Sequence, residues 1–121
     1  MQPLYLENTE GLETSLGYRF NDPALLIEAL THKSIHHEDS ERHPRDNERL
    51  EFLGDAVLSL IIAEALFTKD SGFNEAQMSK MKSYLVKENV LYEIARRLNL
   101  GSYLRLGKGE ESTGGRHKKS I

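Results

Sequence analysis

One uninterrupted stretch, residues 45–67 (RDNERLEFLGDAVLSLIIAEALF), constrains the fold more than any other part of the chain. It contains no Pro, and its apolar side chains recur at helical spacing, so it predicts one long helix. Gly54 lies inside this helix, where Gly is less favourable than Ala by about 1 kcal/mol. Its presence therefore predicts that a neighbouring helix or chain approaches closely at this point.

Three acidic side chains share one face of the predicted helix. At about 100° per residue, Glu48, Glu51 and Asp55 fall within a sector of about 60°. The opposite side carries the apolar residues Leu53, Val57 and Leu60. From Leu58 onward the helix is apolar nearly all round, which predicts that it is buried on most sides.

Like charges three or four residues apart on a helix repel, so this acidic cluster requires a compensating cation. Mg²⁺ is one candidate, because it binds carboxylate oxygens together with waters. Glu51 and Asp55 would supply two ligands from adjacent turns, and the other ligands would come from elsewhere. The alternative is structural, with the acids paired to Arg or Lys from another helix.

The rest of the chain also predicts helices, and no segment has the alternating pattern of a strand. Capping signals delimit helices at about 5–16 ending at Gly17, from Asn21-Asp22-Pro23 onward, at about 75–87 after Asn74, and at about 88–98 before Gly101. Residues 35–46 and 101–121 are polar or rich in Gly and predict loops. The expected fold class is therefore all-α, in one domain.

Composition excludes several classes of site. The chain of 121 residues has no Cys, so it forms no disulfides and no thiolate metal site. Its longest apolar run is too short to span a bilayer, and its acidic N-terminus lacks the layout of a signal peptide. These features predict a cytoplasmic protein without a membrane segment.

Charge is distributed unevenly along the chain. The net charge is −3, yet residues 105–121 contain five Lys or Arg residues and two Glu residues. Such a basic end is suited to contact a polyanion at one edge of an acidic protein, or it is a solvated terminal loop.

The stretch NERLEFLGDAVL resembles the signature of the ribonuclease III family, whose members cleave double-stranded RNA. The resemblance extends from about residue 12 to residue 121, through LGYRFNDPALLIEALTHKSI, MSKMKSYLVKENVLYEIARRLNL and YLRLGKGEESTGGRHKKSI. It implies a ribonuclease III-like endonuclease domain over residues 1–121, a helical bundle that forms a two-fold homodimer. It also implies Mg²⁺-dependent hydrolysis, with Mn²⁺ as a substitute, that leaves 5′-phosphate and 3′-hydroxyl ends during RNA processing.

The resemblance divides the acidic cluster by role. Glu51 and Asp55 fall on the metal-binding and catalytic acids of the family, Glu48 on a supporting acid, and Phe52 on an aromatic residue that contacts the partner subunit. The residues that it places near the RNA are Lys82, Lys108, Arg116 and Lys118.

The family's domain continues into a helix with a further Asp and Glu of the same metal site, whereas this sequence stops at Ile121. We therefore expect the domain to be incomplete at its C-terminus and the 121-residue chain to be weak or inactive alone. One alternative is a non-catalytic ribonuclease III-like module that binds RNA or protein. Another is a histidine-dependent phosphohydrolase that uses His32 and His36, four residues apart.

Overall fold

The computed structural model describes residues 9–69 and 72–121, and these residues are mostly helical. The helices within these two ranges are α1 (Thr9–Leu16), α2 (Pro23–Ala29), α3 (Lys33–Glu38), α4 (Glu48–Thr68), α5 (Glu75–Leu85), α6 (Glu88–Arg97) and α7 (Lys108–Ser112). Short 3₁₀ turns cover Leu100–Tyr103 and Gly115–His117. The described residues contain no β-strand, which confirms the all-α prediction.

Local capping residues delimit several helices where the sequence predicts them. Gly17 adopts a φ of 67° directly after α1, a left-handed conformation that Gly adopts without strain. Asp22 accepts a hydrogen bond from the Ala24 amide at 3.1 Å at the start of α2. Asn74 and Gln77 form a reciprocal capping box at the start of α5, with both distances 2.9 Å. The predicted start of the first helix, residues 5–8, lies outside the described residues.

Two segments predicted as loops contain helical structure. Within residues 35–46 the chain continues α3, which begins at Lys33 because the Nδ1 atom of His32 accepts a hydrogen bond from the Ser34 amide at 3.2 Å. Residues 101–121 contain α7, most of the first 3₁₀ turn and all of the second. Tertiary contacts stabilise these short elements, since so few residues are marginal as isolated helices.

A small apolar core joins the beginning of the chain to the region after α6. Its buried members are Leu12 of α1, Leu26 of α2 and Leu30 directly after α2. Partly buried residues pack against them: Phe20, Leu100, Tyr103 and Leu104. This arrangement fixes the 3₁₀ turn Leu100–Tyr103 against α1 and α2.

Thr31 lies at a junction between three parts of the chain. It forms an isolated parallel bridge with Arg105, in which the Arg105 amide donates to Leu30 O at 2.8 Å and the His32 amide donates to Arg105 O at 3.0 Å. On its other side, Thr31 O accepts from the Asn47 amide at 2.8 Å. Because Asn47 directly precedes α4, this junction sets where the long helix begins.

Helix α4 is much less buried than its apolar sequence predicts. Leu53 and Leu60 are 57% and 67% exposed, and Leu66 is the only side chain of α4 that is buried. The prediction of burial on most sides is therefore wrong for this chain. Helix α4 contacts α2 and α5, and its 21 residues extend beyond what these shorter helices cover. Within the described residues, no helix combines the length and the apolar character needed to cross a bilayer.

The apolar side chains of α4 that are buried or partly buried lie on the same side of the helix as the acids. Helical geometry places Leu58, Ile62 and Leu66 within about 80° of Glu48 around the axis. All three are at least partly buried, whereas the opposite side, with Leu53, is open. Helix α4 is therefore covered, beyond its exposed acidic turns, on the side that carries the acids, while the side with Leu53 and Leu60 is open.

Candidate active site

The acidic cluster lies in the first two turns of α4. Asn47 O accepts the first hydrogen bond of the helix, from the Glu51 amide at 2.8 Å. The Glu48 amide donates to Asp46 Oδ1 at 3.0 Å, which satisfies a donor that the helix itself leaves unpaired. Glu48 and Glu51 both lie in the first turn, where the helix dipole favours negative charge.

Glu48 has a cationic neighbour within the chain. Lys33 Nζ of α3 lies 3.8 Å from Glu48 Oε1, and both side chains are more than half exposed. An exposed pair of this kind contributes at most about 1 kcal/mol to folding. For Glu48, the ion-pair alternative therefore agrees with the structure.

Glu51 and Asp55 lie one helical turn apart and are exposed. Neither carboxylate takes part in an ion pair within residues 9–69 and 72–121. Residues four apart on a helix have Cβ atoms about 5–6 Å from each other, so both carboxylates can reach one small cation. This pair of hard oxygen donors suits Mg²⁺, which takes about six oxygen ligands including waters.

The described residues supply no third side chain for such a site. No group of three His, Asp or Glu side chains among them is close enough to hold one metal ion. Metal binding by Glu51 and Asp55 stays a prediction, in which the pair would supply two side-chain ligands and the others would come from elsewhere.

An open groove reaches Glu48 of the acidic cluster but neither of the two proposed metal ligands. It has a volume of about 620 Å³ and runs between α2 and the start of α4. Its walls are formed by Leu25, Glu28, Arg45, Glu48, Arg49, Leu50, Phe52 and Leu53. Neither Glu51 nor Asp55 lines this groove, so it is not a pocket around the proposed metal ligands.

Phe52 and Gly54 lie on an open part of α4. The Phe52 side chain is 84% exposed, an unusually high fraction for a Phe residue. A Cβ atom built on Gly54 would meet nothing within 4 Å. No other helix within the described residues of this chain therefore approaches Gly54 closely, and an approach by a second chain stays a prediction.

The basic residues predicted near RNA have different surroundings. Lys108 is exposed at the first position of α7, and Lys82 is half-buried in α5. Lys118 Nζ lies 3.4 Å from Glu110 Oε2 and 3.1 Å from Thr113 Oγ1. Their proposed role in RNA contact remains a prediction.

Arg116 makes several intramolecular bonds. Its Nη1 donates to Gly101 O at 2.9 Å and to Leu104 O at 2.6 Å. Its Nε donates to both carboxylate oxygens of Glu111, at 3.0 and 3.1 Å, and its Nη2 also contacts that carboxylate. The hydrogen bond from Arg116 lowers the pKa of the Glu111 carboxyl below its ordinary value. The guanidinium therefore fastens α7 to the 3₁₀ turn Leu100–Tyr103.

The two histidines of the alternative phosphohydrolase have separate local partners. His32 Nδ1 lies 2.8 Å from Ser34 Oγ, and His36 Nδ1 lies 2.6 Å from His43 O. One nitrogen of each ring is therefore engaged in a local hydrogen bond, and the histidine-dependent alternative stays a hypothesis.

Sequence reasoning missed the residues that hold α4 in place. The contacts that do so join segments distant in sequence: Lys33 with Glu48, Asn47 with Ala29, and Arg105 with Thr31. The available signal was local: Asn is a typical cap residue, and Asn47 directly precedes the long helix, while Lys33 directly follows His32, the N-cap of α3.

Sequence comparison finds relatives that align with almost all of this chain. The chain is 50% identical over 115 residues to "Ribonuclease 3" of Syntrophobacter fumaroxidans, covering 95% of this chain and 48% of the relative. It is 51% identical over 114 residues to "Ribonuclease 3" of Geobacter sulfurreducens, covering 94% and 46% of the two chains. The chain thus spans about half the length of these curated relatives.

Solved structures and a family model agree with those relatives. The nuclease domain of ribonuclease III from Campylobacter jejuni, in a study of structural flexibility in a region involved in its dimer formation, matches with a TM-score of 0.82. That match is 47% identical and covers 93% of this chain and 75% of the other. The family model described as ribonuclease-III-like matches residues 22–121, so the chain belongs to the ribonuclease-III-like family.

Proposed function

We propose that the protein is an endoribonuclease that hydrolyses phosphodiester bonds of double-stranded RNA. The observation that carries this proposal is the exposed pair Glu51 and Asp55, one turn apart at the start of α4, in a chain of the ribonuclease-III-like family. The products would carry 5′-phosphate and 3′-hydroxyl ends, and the cellular role would be RNA processing in the cytoplasm.

In this proposal Glu51 and Asp55 hold Mg²⁺, with Mn²⁺ as a substitute. When bound, the ion supplies a Lewis acid that stabilises charge on the phosphate and lowers the pKa of a water. The carboxylates orient the reacting centre, and their exposure leaves room for a phosphodiester to approach. Glu48 supports the site through the first turn of α4 and its ion pair with Lys33.

The proposed partners are duplex RNA and a second copy of the chain. Phe52 and the open side of α4 would lie at the subunit contact, which explains why large apolar side chains are so exposed in one chain. Lys108, with Lys82, Arg116 and Lys118, would lie near the phosphate backbone. RNA of this kind is recognised mostly by its A-form shape and its 2′-hydroxyl groups.

The 121-residue chain alone is expected to cleave slowly. Two carboxylates leave most of the coordination positions of Mg²⁺ to water, and further protein ligands would strengthen binding. Incubation of this chain with Mg²⁺ and duplex RNA tests the point. Cleavage as fast as that of the whole protein would show that two acids suffice.

The main experiment compares variants of the whole protein, including any residues that its gene encodes after Ile121. Glu51→Gln and Asp55→Asn should each lower the rate of duplex cleavage at least 100-fold, because each removes charge from the metal site. The matched control is Glu64→Gln, an exposed acid on the same helix three turns away, which should cleave at the wild-type rate.

The same variants separate the proposal from a non-catalytic module. If the wild-type protein binds duplex RNA without cutting it in Mg²⁺ or Mn²⁺, the binding-module alternative is correct. If Glu51→Gln and Asp55→Asn cleave normally while remaining folded, the two acids have no part in the chemistry.

A further inference from the structure

Asn47 stands at the N-cap position of α4 but does not cap it with its side chain. Asn at this position usually accepts a hydrogen bond from an amide of the first turn. Here the side-chain amide points the other way, and its Nδ2 donates to Ala29 O at the end of α2, at 3.3 Å. Asp46 supplies the side-chain acceptor for the first turn instead, to the Glu48 amide.

The backbone of Asn47 connects the same two regions. Its amide donates to Thr31 O at 2.8 Å, and its carbonyl accepts from the amide of Glu51 at 2.8 Å. Asn47 therefore donates two hydrogen bonds to carbonyls at and just after the end of α2, and its own carbonyl accepts one from the amide of Glu51, a proposed metal ligand. These three hydrogen bonds fix the orientation of the first turn of α4 relative to the end of α2.

The segment to which Asn47 is bonded is itself firmly held. Thr31 is 2% exposed, and its Oγ1 donates to Ile27 O at 2.6 Å. The bridge to Arg105 holds its other edge. Two residues after Arg105, the Gly107 amide donates to Ser34 Oγ of α3 at 2.8 Å. The chain on the far side of the bridge is therefore also bonded to α3.

We propose that Asn47 is a positioning residue, whose side-chain amide fixes the start of α4 on the Ala29–Thr31 segment and so places Glu51 and Asp55 for metal binding. Its part in catalysis rests on the function proposed above, whereas its part in holding α4 does not. The competing role is ordinary helix capping, and the two roles need opposite chemistry from the side chain. Capping needs an acceptor, and positioning needs the amide donor.

Substitutions at Asn47 separate these roles. Asn47→Asp and Asn47→Ser keep a good capping acceptor but lose the amide that reaches Ala29 O. We expect each to lower kcat for duplex RNA about 10- to 100-fold in the whole protein, since small displacements of reacting groups have effects of this size. KM should change less than twofold, because neither substitution touches a predicted RNA contact. Asn47→Asp adds a negative charge between Asp46 and Glu48, whereas Asn47→Ser adds none. An effect shared by both variants is therefore not caused by the added charge.

Asp46→Ala is the matched control at the neighbouring position. It removes the side-chain acceptor of the first turn and leaves both bonds from Asn47 in place. We expect it to lower Tm by a few degrees while kcat stays within about twofold of wild type. A large loss of kcat in Asp46→Ala together with normal kcat in Asn47→Ser would assign the effect to capping and overturn the proposal.

A second readout does not depend on cleavage. Amide hydrogen exchange measures the Asn47 N–H bonded to Thr31 O and the Glu51 N–H bonded to Asn47 O, and Mn²⁺ titration followed by line broadening measures binding at the acids. In Asn47→Ser we expect at least tenfold faster exchange at the Asn47 amide and at least threefold weaker Mn²⁺ binding. Unchanged exchange at the Asn47 amide would overturn the proposal even if activity fell. If the wild-type protein cleaves no RNA but its exchange responds as expected, the proposed function fails and the positioning role stands.

Discussion

Replacing Arg116 by Met should destabilise the protein substantially, although the position lies in a segment that the sequence predicts to be a loop at the basic end of the chain. Met keeps most of the aliphatic length of the side chain and removes every donor. The two backbone acceptors, Gly101 O and Leu104 O, lose bonds of 2.9 and 2.6 Å. The Arg116 side chain is 25% exposed, so these carbonyls are partly sheltered from replacement water.

The magnitude follows from those two bonds. At about 1–1.5 kcal/mol for each partly sheltered, charge-assisted bond, the free energy of unfolding should fall by about 2–3 kcal/mol. The entropy of unfolding of the chain at its midpoint is about 0.25 kcal/mol/K, from about 2.1 cal/mol/K for each residue. The expected decrease in Tm is therefore about 8–12 °C. The ion pair with the exposed Glu111 carboxylate is left out of this sum.

Thermal unfolding followed by circular dichroism measures the effect. Lys118→Met is the matched control, because the same kind of substitution removes a single 3.4 Å ion pair, between the exposed Lys118 and the partly buried Glu110, and no bond to a backbone carbonyl. Its Tm should fall by less than about 3 °C. An Arg116→Met protein that melts within about 2 °C of wild type would refute the reasoning, because Arg116 would then not be a structural clamp.

Three further predictions use other features. Gly54→Ala should raise the free energy of unfolding of the isolated chain by about 1 kcal/mol, measured by urea unfolding, because a Cβ meets only open space there; a destabilised variant would mean that the position is covered in solution. Gly107→Ala should lower the free energy of unfolding by at least about 2 kcal/mol, because the added Cβ would overlap the Glu38 carboxylate and lie 2.8 Å from Ser34 O. Unchanged stability would show that the Glu38 side chain moves away at little cost. Burial lowers the pKa of His43 below its ordinary value, so the unfolded chain takes up more protons there, and stability should fall as the pH drops from about 6.5 toward the lower folded pKa. His43→Gln should reduce this slope in urea midpoints measured between pH 7.5 and pH 5.5, and an unchanged slope would assign it to other groups.

The parts of the fold that could be predicted from sequence depend on local chemistry. Asp22, Asn74 and Gly17 delimit helices through bonds and backbone angles within a few residues of themselves. The sharing of one face by Glu48, Glu51 and Asp55 is likewise a property of helical geometry alone. Such features are encoded within one or two turns, and the pattern predicts them directly.

The parts that could not be predicted depend on contacts between distant segments. The sequence pattern shows that α4 is apolar but not which elements reach it, and the exposed Leu60 shows that apolar character does not ensure burial within one chain. Arg116 is one of several basic residues near Gly in the sequence, and only the fold brings it to the carbonyls of residues 101 and 104. Metal binding by Glu51 and Asp55 remains a prediction that rests on donor chemistry and on family resemblance.

The bridge between Thr31 and Arg105 has a consequence for the order of folding. It closes a loop that contains α3, α4, α5 and α6, so its formation must offset the entropy of bringing distant segments together. The helices inside the loop are local structures and form faster than such a closure. We therefore expect α4 to be helical before its first residues are fixed in place. The acidic end of α4 would then become ordered in one of the last steps of folding, when the segment around Arg105 docks on Leu30 and His32.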